Sequence, residues 1–233
     1  MGKVIMSGIV PLLSVPVTTK PNFADNTWTQ IIKACQTNTV PDTWAVGNQK
    51  SMTIGGTDYV IDIIGKGHDT YSSGGTAPLT FQMHDCYGTR YAMNSSNTNV
   101  GGWTDCAMRT THLPAILVLM PTEVQNGIRE VDKLTSVGNK STTIETTADK
   151  LFLLSEVEIF GSTTYSVSGE GTQYAYYKVG SNKVKNVSGS ASHWWERSPY
   201  SGSAITFCYV NSDGTADFGG ASTSTGVSFA FCF

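Results

Sequence analysis

The residues that could carry acid–base chemistry are histidines and closely spaced carboxylates. Four histidines lie far apart in the sequence, none with a partner at i, i+4: His68, His84, His112 and His193. Two of them precede an aspartate, in the pairs His68-Asp69 and His84-Asp85, and each pair could be half of a catalytic site. A loop histidine beside a capping aspartate is the more common arrangement, so neither pair predicts an enzyme.

Glu156 and Glu158 are the next candidates, because two carboxylates can act as acid and base. On a strand their spacing would place them on one face, but polar strand edges do this commonly. The segment 211–214 (Asn-Ser-Asp-Gly) with Asp217 has the composition of a calcium loop, yet its Gly and a terminal Glu are not at the required spacing. We expect a β-turn there, and the sequence predicts no catalytic residue and no metal site.

Thiol chemistry could come from five cysteines, namely Cys35, Cys86, Cys106, Cys208 and Cys232. Their number is odd and no two form a C-x-x-C pair, which disfavours both a disulfide framework and a zinc site. The pattern predicts buried, reduced thiols in a chain that folds in a reducing compartment. A nucleophile elbow, a P-loop, a dinucleotide fingerprint and an H-E-x-x-H motif are absent from the sequence, so no cofactor is predicted.

The charge content limits the partners of the chain. Only 14% of the 233 residues are charged, and the net charge is −3. Such a chain has no basic field to neutralise phosphates, so a nucleic-acid partner is not expected. No apolar run reaches the roughly 18 residues that a membrane span needs, so membrane insertion is not expected.

The hydrophobic pattern predicts one α+β domain over residues 21–233, preceded by an attachment arm over residues 1–20. The arm is apolar and extended, and Pro11 and Pro16 interrupt it. Because such an arm cannot fold alone, we expect it to join a larger assembly or to mediate oligomerisation.

Helices are expected mainly in the first half of the domain. The predicted elements are a helix over Trp28–Ala34 capped by Asn26 or Thr27, a hairpin around Gly55-Gly56, a strand over Leu79–Met83, and two helices between Gly102 and Val131, the second with Thr122 and Gln125 as a capping box. A polar loop is expected over residues 135–147.

Short strands are expected in the second half of the domain. A buried strand is predicted over residues 149–158, running into a helical turn, and irregular strands from Tyr174 onward. Phe229, Phe231 and Phe233 alternate as in a strand with one buried face. Upstream, the pair Trp194-Trp195 followed by Arg197 predicts a core plug whose guanidinium binds backbone carbonyls.

At these residues the sequence resembles the C-type-lectin-like domains of phage and bacterial proteins. The resemblance covers most of residues 50–233. It includes the W-W-x-R-S-P motif, the downstream F-x-x-V-x-x-x-G and G-V motifs, and an F-L-L-S-x-x-E strand, carried by Trp194, Trp195, Arg197, Ser198, Pro199, Phe207, Val210, Gly214, Gly226, Val227 and residues 152–158. Ser228-Phe229 replaces the family's Arg-Pro after G-V. The resemblance implies a C-type-lectin-like fold with two helices and short irregular antiparallel strands.

Some proteins of this type are variable proteins of diversity-generating retroelements, in which mutation of Asn codons at adenines yields fifteen residue types but never Lys, Glu, Gln, Met or Trp. Before Tyr200 these five types make up 36 of 199 residues, so about six are expected among the last 34. None is present there, and the only charged residues from Tyr200 onward are Asp213 and Asp217. The depletion favours a diversified, ligand-binding region over about residues 193–233, although a compact Gly- and Ser-rich region is also poor in long side chains.

The diversification hypothesis divides this region into scaffold and binding face. The scaffold would be Phe207, Cys208, Val210, Gly214, Ala216, Ala221, Gly226 and Val227. The ligand-binding residues would be Ser203, Ala204, Ile205, Thr206, Tyr209, Asn211, Ser212, Asp213, Thr215, Asp217, Phe218, Gly219, Gly220, Ser222, Thr223 and Ser224. Aromatic and small polar residues suit such a face, since they combine rigid contact area with adaptable hydrogen bonds.

The resemblance therefore implies a receptor-binding protein of a phage tail rather than an enzyme. It would be assembled in the bacterial cytoplasm as part of a virion, as a homo-oligomer joined to other tail proteins by its arm, and would bind a protein or glycan receptor on a host cell. Two alternatives stay open: an undiversified structural virion protein, and an oxidase like the formylglycine-generating enzymes, which share the broad fold and use a reactive cysteine pair. Cys208 and Cys232 would be that pair, and rapid thiol reaction would favour it.

Overall fold

The computed structural model describes residues 18–233, so most of the predicted arm, residues 1–17, lies outside the described residues. The helices are α1 (Trp28–Gln36), α2 (Gly102–Asp105), α3 (Leu113–Leu117), α4 (Thr122–Gly127), α5 (Glu156–Phe160) and α6 (Ala175–Lys178). The strands are β1 (Gln49–Ile54), β2 (Thr57–Lys66), β3 (Leu79–Met83), β4 (Val131–Ser136), β5 (Ile144–Asp149), β6 (Lys185–Val187), β7 (Ser190–Ser192), β8 (Trp194–Pro199), β9 (Thr206–Val210), β10 (Ala216–Gly220) and β11 (Ala230–Cys232). A 3-10 turn at Phe23–Asp25 precedes α1, and a π-helical turn at Met108–His112 precedes α3.

The strands form small antiparallel sheets, so the predicted α+β class is right. A four-stranded sheet has the order β1-β2-β3-β11, and a three-stranded sheet has the order β10-β9-β8. The pairs β4-β5 and β6-β7 are separate hairpins. Single bridges attach further segments to these sheets: Phe152 pairs with Ala230 of β11, and Gly226 pairs with Trp194 of β8.

Two local predictions are confirmed. Thr27 caps α1 through a capping box with Gln30, and the helix buries the apolar face that its spacing predicted. The turn at Gly55-Gly56 joins β1 to β2, with φ values of 57° and 83°. Both angles lie in the left-handed region that glycine adopts without steric cost, so this dipeptide sets the register of the hairpin.

The predicted capping box of Thr122 and Gln125 is wrong. Pro121 is the N-cap of α4 and there is no side-chain cap. Gln125 Nε2 instead donates to the carbonyls of Val118 and Met120, which closes the turn between α3 and α4. The predicted helical segment also ran too far toward the C-terminus, because Val131 begins β4 and is not helical.

The expected polar loop over residues 135–147 is also wrong in part. Its two ends pair as β4 and β5, with Ser136 opposite Ile144. The segment from Thr142 to Thr147 is rich in threonine, which suits a pleated, half-exposed strand, so its polarity concealed a β signal.

The predicted strand over residues 149–158 is interrupted. Its apolar part, Leu151–Leu154, is fully buried but pairs only through Phe152, and α5 begins at Glu156. Ser155 caps α5 in a capping box with Glu158. Glu156 and Glu158 therefore lie on a helix and do not share a strand face.

The last strand, β11, is buried on both faces. Phe229, Phe231 and Phe233 are inaccessible to solvent, and so are Ala230 and Cys232 between them. One face packs on Phe81 of the neighbouring β3, whose ring centroid lies 5.3 Å from that of Phe231. The expectation of a single buried face is wrong, because Ala230 and Cys232 on the opposite face are buried as well, with the Cys232 thiol beside Asp69 and Thr80.

Candidate functional site

The β9–β10 hairpin carries most of the predicted binding residues. β9 lies between β8 and β10, so the exposed edge of this three-stranded sheet is β10. The register places Tyr209 opposite both Trp195 and Asp217, and Cys208 opposite Phe218. Because paired residues share a face of the sheet, Tyr209 and Asp217 lie on one side of the hairpin and Phe218 on the other.

The structure leaves fifteen of the sixteen predicted binding residues exposed or half-buried. Thr206 is the exception, with only 9% of its surface exposed. Its side chain shares the inner face of β9 with Cys208, two residues away, and so it is part of the sheet's interior. We therefore remove Thr206 from the candidate binding face.

Two loops at one end of the hairpin are brought together by asparagines that the sequence analysis missed. Asn99 is fully buried, and its Nδ2 donates to the carbonyls of Ser203 and Thr206, both at 2.7 Å. Asn97 Oδ1 accepts hydrogen bonds from the backbone and hydroxyl of Ser222 at 3.0 and 2.8 Å. The Asn-rich segment 94–99 was a visible signal, but nothing in its spacing shows which loops it binds.

At the other end of the hairpin the predicted β-turn is confirmed. The Gly214 amide donates to the Asn211 carbonyl at 2.9 Å, and the Asn211 amide donates to the Thr215 carbonyl at 2.7 Å. Asp213 accepts hydrogen bonds from the hydroxyl and amide of Thr215, which lower the pKa of its carboxyl. Within residues 18–233, no group of three or more His, Cys, Asp or Glu side chains is placed to hold a metal ion.

Aromatic rings flank both faces of β10. Phe218 stacks on Tyr200 with centroids 4.1 Å apart, and the Tyr165 ring meets Phe218 edge-on at 5.1 Å. On the other face, Tyr209 packs edge-on against the buried Trp195 at 5.8 Å. Tyr165 and Tyr200 are half-buried and lie outside the predicted set, so the exposed aromatic surface is larger than the sequence indicated.

Most of the predicted scaffold is buried, as expected for residues that hold the hairpin in place. The buried members are Phe207, Cys208, Val210, Ala221, Gly226 and Val227, whereas Gly214 and Ala216 are half-exposed. Gly226 allows the closest approach, since a Cβ there would lie 2.7 Å from the His193 carbonyl oxygen. Gly214 has a φ of 86°, so its role is to form the turn.

Arg197 joins β8 to three other segments. As predicted, its guanidinium donates to backbone carbonyls, those of Leu153 at 2.9 Å and Glu170 at 2.8 Å among them. The sequence analysis missed the bidentate ion pair with Glu158, at 2.5 and 3.0 Å. The two residues are 39 positions apart, and no local pattern indicates that they meet.

Glu158 extends this ion pair into a buried network. Lys133 Nζ lies 2.8 Å from Glu158 Oε1 and 2.8 Å from Asp69 Oδ1. Burial opposes the charge on Lys133, but Asp69 and Glu158 raise its pKa above the usual range. Burial also opposes the charge on Asp69, yet Lys133 holds its pKa at about 2. The resting state is therefore two cations with two anions.

In neither histidine–aspartate pair does the histidine side chain bind the adjacent aspartate. His84 Nδ1 bonds to Asp62 Oδ2 at 2.8 Å, which raises the pKa of His84, while Asp85 accepts from the amide of Asn186. His68 stacks on Tyr174 at 3.9 Å, and burial lowers its pKa. Each histidine thus binds a neighbour distant in sequence.

The five cysteines are free and buried, as predicted. Burial raises the pKa of Cys35, Cys86 and Cys106 to about 12. Burial raises the pKa values of Cys208 and Cys232 well above their usual range. A thiol in that state is a poor nucleophile, because the thiolate is the reactive form.

Two further glutamates are buried at β8: Glu196 is a residue of the strand, and Glu170 binds its Ser198. Glu170 accepts hydrogen bonds from the Ser136 amide and the Ser198 hydroxyl, and burial raises its pKa to about 7. Glu196 makes no hydrogen bond with either carboxyl oxygen, and burial raises its pKa well above the usual range. Burial with raised pKa values favours the protonated form of these side chains.

A protein-family model described as a domain of unknown function (DUF6273) matches residues 79–233. The chain belongs to this family. No curated protein and no solved structure matches the chain. The matched region begins at β3 and includes the whole β8–β10 sheet, so the candidate binding residues, Lys133, Glu158 and Arg197 are all inside the family's domain. Within the described residues, no helix combines the length and the apolar character needed to cross a membrane.

Proposed function

We propose that this chain is a ligand-binding protein that presents the β9–β10 hairpin and its flanking loops to a receptor on a bacterial cell. The observation that carries the proposal is the division of one short segment into two sets of residues. Fifteen candidate residues between Ser203 and Ser224 are exposed or half-buried, and five residues interspersed with them are buried, namely Thr206, Phe207, Cys208, Val210 and Ala221. A surface built this way can change its side chains while its backbone stays fixed.

A C-type-lectin-like fold is part of the proposal. The small antiparallel sheets and short helices support it. So does the burial of Trp194, Trp195 and Arg197, since the motif that carries the resemblance lies in the core. The binding of Arg197 to Glu158 joins the two most specific motifs, W-W-x-R-S-P and F-L-L-S-x-x-E, in one contact.

The composition of the hairpin surface supports variation by a retroelement. Apart from the exposed Ile205, its uncharged residues are small, hydroxylated, amide or aromatic, and its two carboxylates are held by neighbouring side chains. Asp217 accepts from Asn211 at 3.2 Å and Asp213 from Thr215 at 2.6 Å. Binding would then depend on aromatic contact, hydrogen bonds and the avidity of several copies rather than on charge.

In this proposal the chain catalyses no reaction. It forms a homo-oligomer on a phage tail, attached through its N-terminal segment to other tail proteins, and its receptor is a surface protein or glycan of the host. The high thiol pKa values of Cys208 and Cys232 do not favour the oxidase alternative. The alternative of an undiversified virion protein differs from this proposal only in that the residues of the hairpin surface would not vary between members of the population.

Sequencing the 3′ end of the gene from many members of one phage or prophage population tests diversification. We expect amino-acid differences at the fifteen exposed positions, all explained by changes at adenines of a nearby template repeat. Ser162, Thr163 and Thr164 are a matched control, because they are exposed, small and polar but lie outside the region. Equal variation at these positions and at the hairpin would contradict the proposal.

Binding is tested with fluorescent protein on intact cells of the bacterial strain that carries the gene and of its close relatives. Phe218→Ala removes a half-buried ring from β10, and we expect it to reduce cell labelling at least tenfold. Thr163→Ala removes exposed atoms of the neighbouring loop and should leave labelling unchanged. Equal labelling by both variants would refute the role of the hairpin.

A further inference from the structure

Three side chains with complementary chemistry meet in the core of the domain. Lys133 on β4 is only 3% exposed, Asp69 follows β2, and Glu158 is on α5. Lys133 Nζ lies 2.8 Å from a carboxyl oxygen of each acid. A primary amine is thus held within contact distance of a carboxyl group, shielded from bulk water.

Besides the two carboxylates, aromatic rings surround this amine. The Phe152 ring centroid lies 4.3 Å from Lys133 Nζ, and the Tyr174 ring packs on the same ammonium at 5.5 Å. Both rings are fully buried. These rings limit the access of water to the amine and add no further charge to the site.

Neutral donors surround the Asp69 carboxyl. The Thr80 hydroxyl donates to Asp69 Oδ2 at 2.5 Å, and the Tyr174 hydroxyl lies 2.9 Å from both carboxyl oxygens. These donors can stabilise negative charge on Oδ2, as an oxyanion hole does, while Oδ1 faces the amine. Glu158 is held differently, because Arg197 binds both of its oxygens and keeps it a carboxylate.

We propose that Lys133 and Asp69 condense into an intramolecular isopeptide bond, with Glu158 as the proton relay. In the reacting form, one proton has moved from Lys133 Nζ to Asp69 Oδ1 along their hydrogen bond. The neutral amine attacks Asp69 Cγ, a C–N bond forms, and the charge moves to Oδ2. Glu158 takes a proton from the nitrogen and returns it to Oδ1, the C–O bond breaks, and water leaves.

The net change is an ammonium and a carboxylate becoming an amide and one water, with Glu158 unchanged. No oxidant, cofactor or second substrate is needed. The resting ion pair makes the reacting form rare, so the reaction is slow and happens once per chain. The fixed positions of the two groups compensate for the rarity of the reacting form, since reactants held in place reach effective concentrations of about 10⁵ M or more.

The structure also provides a space for the released water, and the reaction lowers the desolvation cost of the site. A cavity of about 160 Å³ is lined by Asp69, Lys133, Glu158 and Gly171, and it can receive the released water. Condensation removes two buried charges, each of which carries a desolvation penalty. The remaining pair, Arg197 and Glu158, is neutral as a unit, so no unpaired charge is left behind.

Intact mass spectrometry of the full chain tests the proposal. The protein is purified, incubated at neutral pH until its mass is constant, and denatured for measurement. We expect a mass one water below that of the sequence, and a digest in which peptides containing Asp69 and Lys133 are joined and trypsin no longer cleaves after Lys133. An unchanged mass at the end of the incubation overturns the proposal.

Two controls locate the water loss. Lys133→Arg keeps the charge but has no primary amine, so it should keep the full mass, whereas Lys150→Arg, at an exposed lysine, should lose water as the unaltered chain does. Asp213-Gly214 could also lose water as a succinimide, and fragmentation that places the loss there overturns the proposal. If Lys133→Arg does not fold, the mass and cross-linked peptide of the unaltered chain still decide the question.

Discussion

The buried carboxyl of Glu170 should make the stability of this domain fall as the pH rises from 4.5 to about 7. Its pKa is raised by burial from 4.5 to about 7 in the folded state. Below pH 4.5 the group is protonated in both the folded and the unfolded chain, and its contribution is fully present. Between pH 4.5 and 7 the folded chain holds more protons, so raising the pH destabilises it.

The size of this effect follows from the two pKa values. Each pKa unit corresponds to about 1.4 kcal/mol, so ionising Glu170 in the folded state costs about 3 kcal/mol above pH 7. Glu170→Gln removes that cost and keeps the shape. The glutamine oxygen can accept from the Ser136 amide, and the amide group can donate to the Ser198 hydroxyl.

Urea unfolding, followed by tryptophan fluorescence from below pH 4.5 to above pH 7, measures the effect. The stability of Glu170→Gln minus that of the unaltered chain should rise by about 3 kcal/mol across this range. Glu196 and His84 also titrate, but they are present in both proteins and largely cancel in the difference. Glu123→Gln, at an exposed position of α4, reports the effect of removing a surface carboxylate. A difference for Glu170→Gln that does not change with pH would refute the reasoning.

Three other outcomes follow from the same contacts. Native protein should show no rapidly reacting thiol with a chromogenic disulfide, and all five thiols should react after denaturation; two fast thiols would instead favour the oxidase alternative. Asn99→Ala should cost about 2–4 kcal/mol in urea unfolding, since the Ser203 and Thr206 carbonyls each lose a buried hydrogen bond, and a loss equal to that of the exposed Ser224→Ala would contradict this. Gly226→Ala should cost about 1–3 kcal/mol, because its Cβ would meet a fixed carbonyl oxygen at 2.7 Å; an unchanged unfolding midpoint would show that the backbone yields.

Local signals in the sequence predicted local structure well. The N-cap of α1 needs only Thr27 and Gln30, three residues apart, and the β1–β2 turn needs only two glycines. In each case the residues that define the element also form its hydrogen bonds or its turn. The β-turn at Asn211–Thr215 was predictable for the same reason.

Contacts between distant segments were not predictable from one sequence. Arg197 was expected to bind carbonyls, which any chain offers, but its partner Glu158 is chosen by the packing of α5 against β8. The burial of Lys133 shows the same limit. A lysine in a strand with alternating polarity would be predicted to face solvent. Only the ion pairs with Asp69 and Glu158 offset the free-energy cost of burying its charge.

The exposure of the candidate binding residues was predicted better than the network that supports them, and the reason is physical. The face was identified by what is missing, namely long and charged side chains, and composition records that directly. Its support is a matter of geometry. Asn97 and Asn99 fix the backbone of the loops, and β8 is buried along its whole length, so few of the exposed side chains have to stabilise the fold.

This arrangement explains how one hairpin could tolerate many sequences. A substitution at Ser222 or Ser224 removes little buried area, and the Asn97 contact with the Ser222 backbone survives any side chain. Thr206 is different, since a larger side chain there would enter the interior beside Cys208. If the surface is diversified, variation should therefore stop at Thr206 and continue at Ile205, its exposed neighbour, because adjacent residues of an extended chain point to opposite faces.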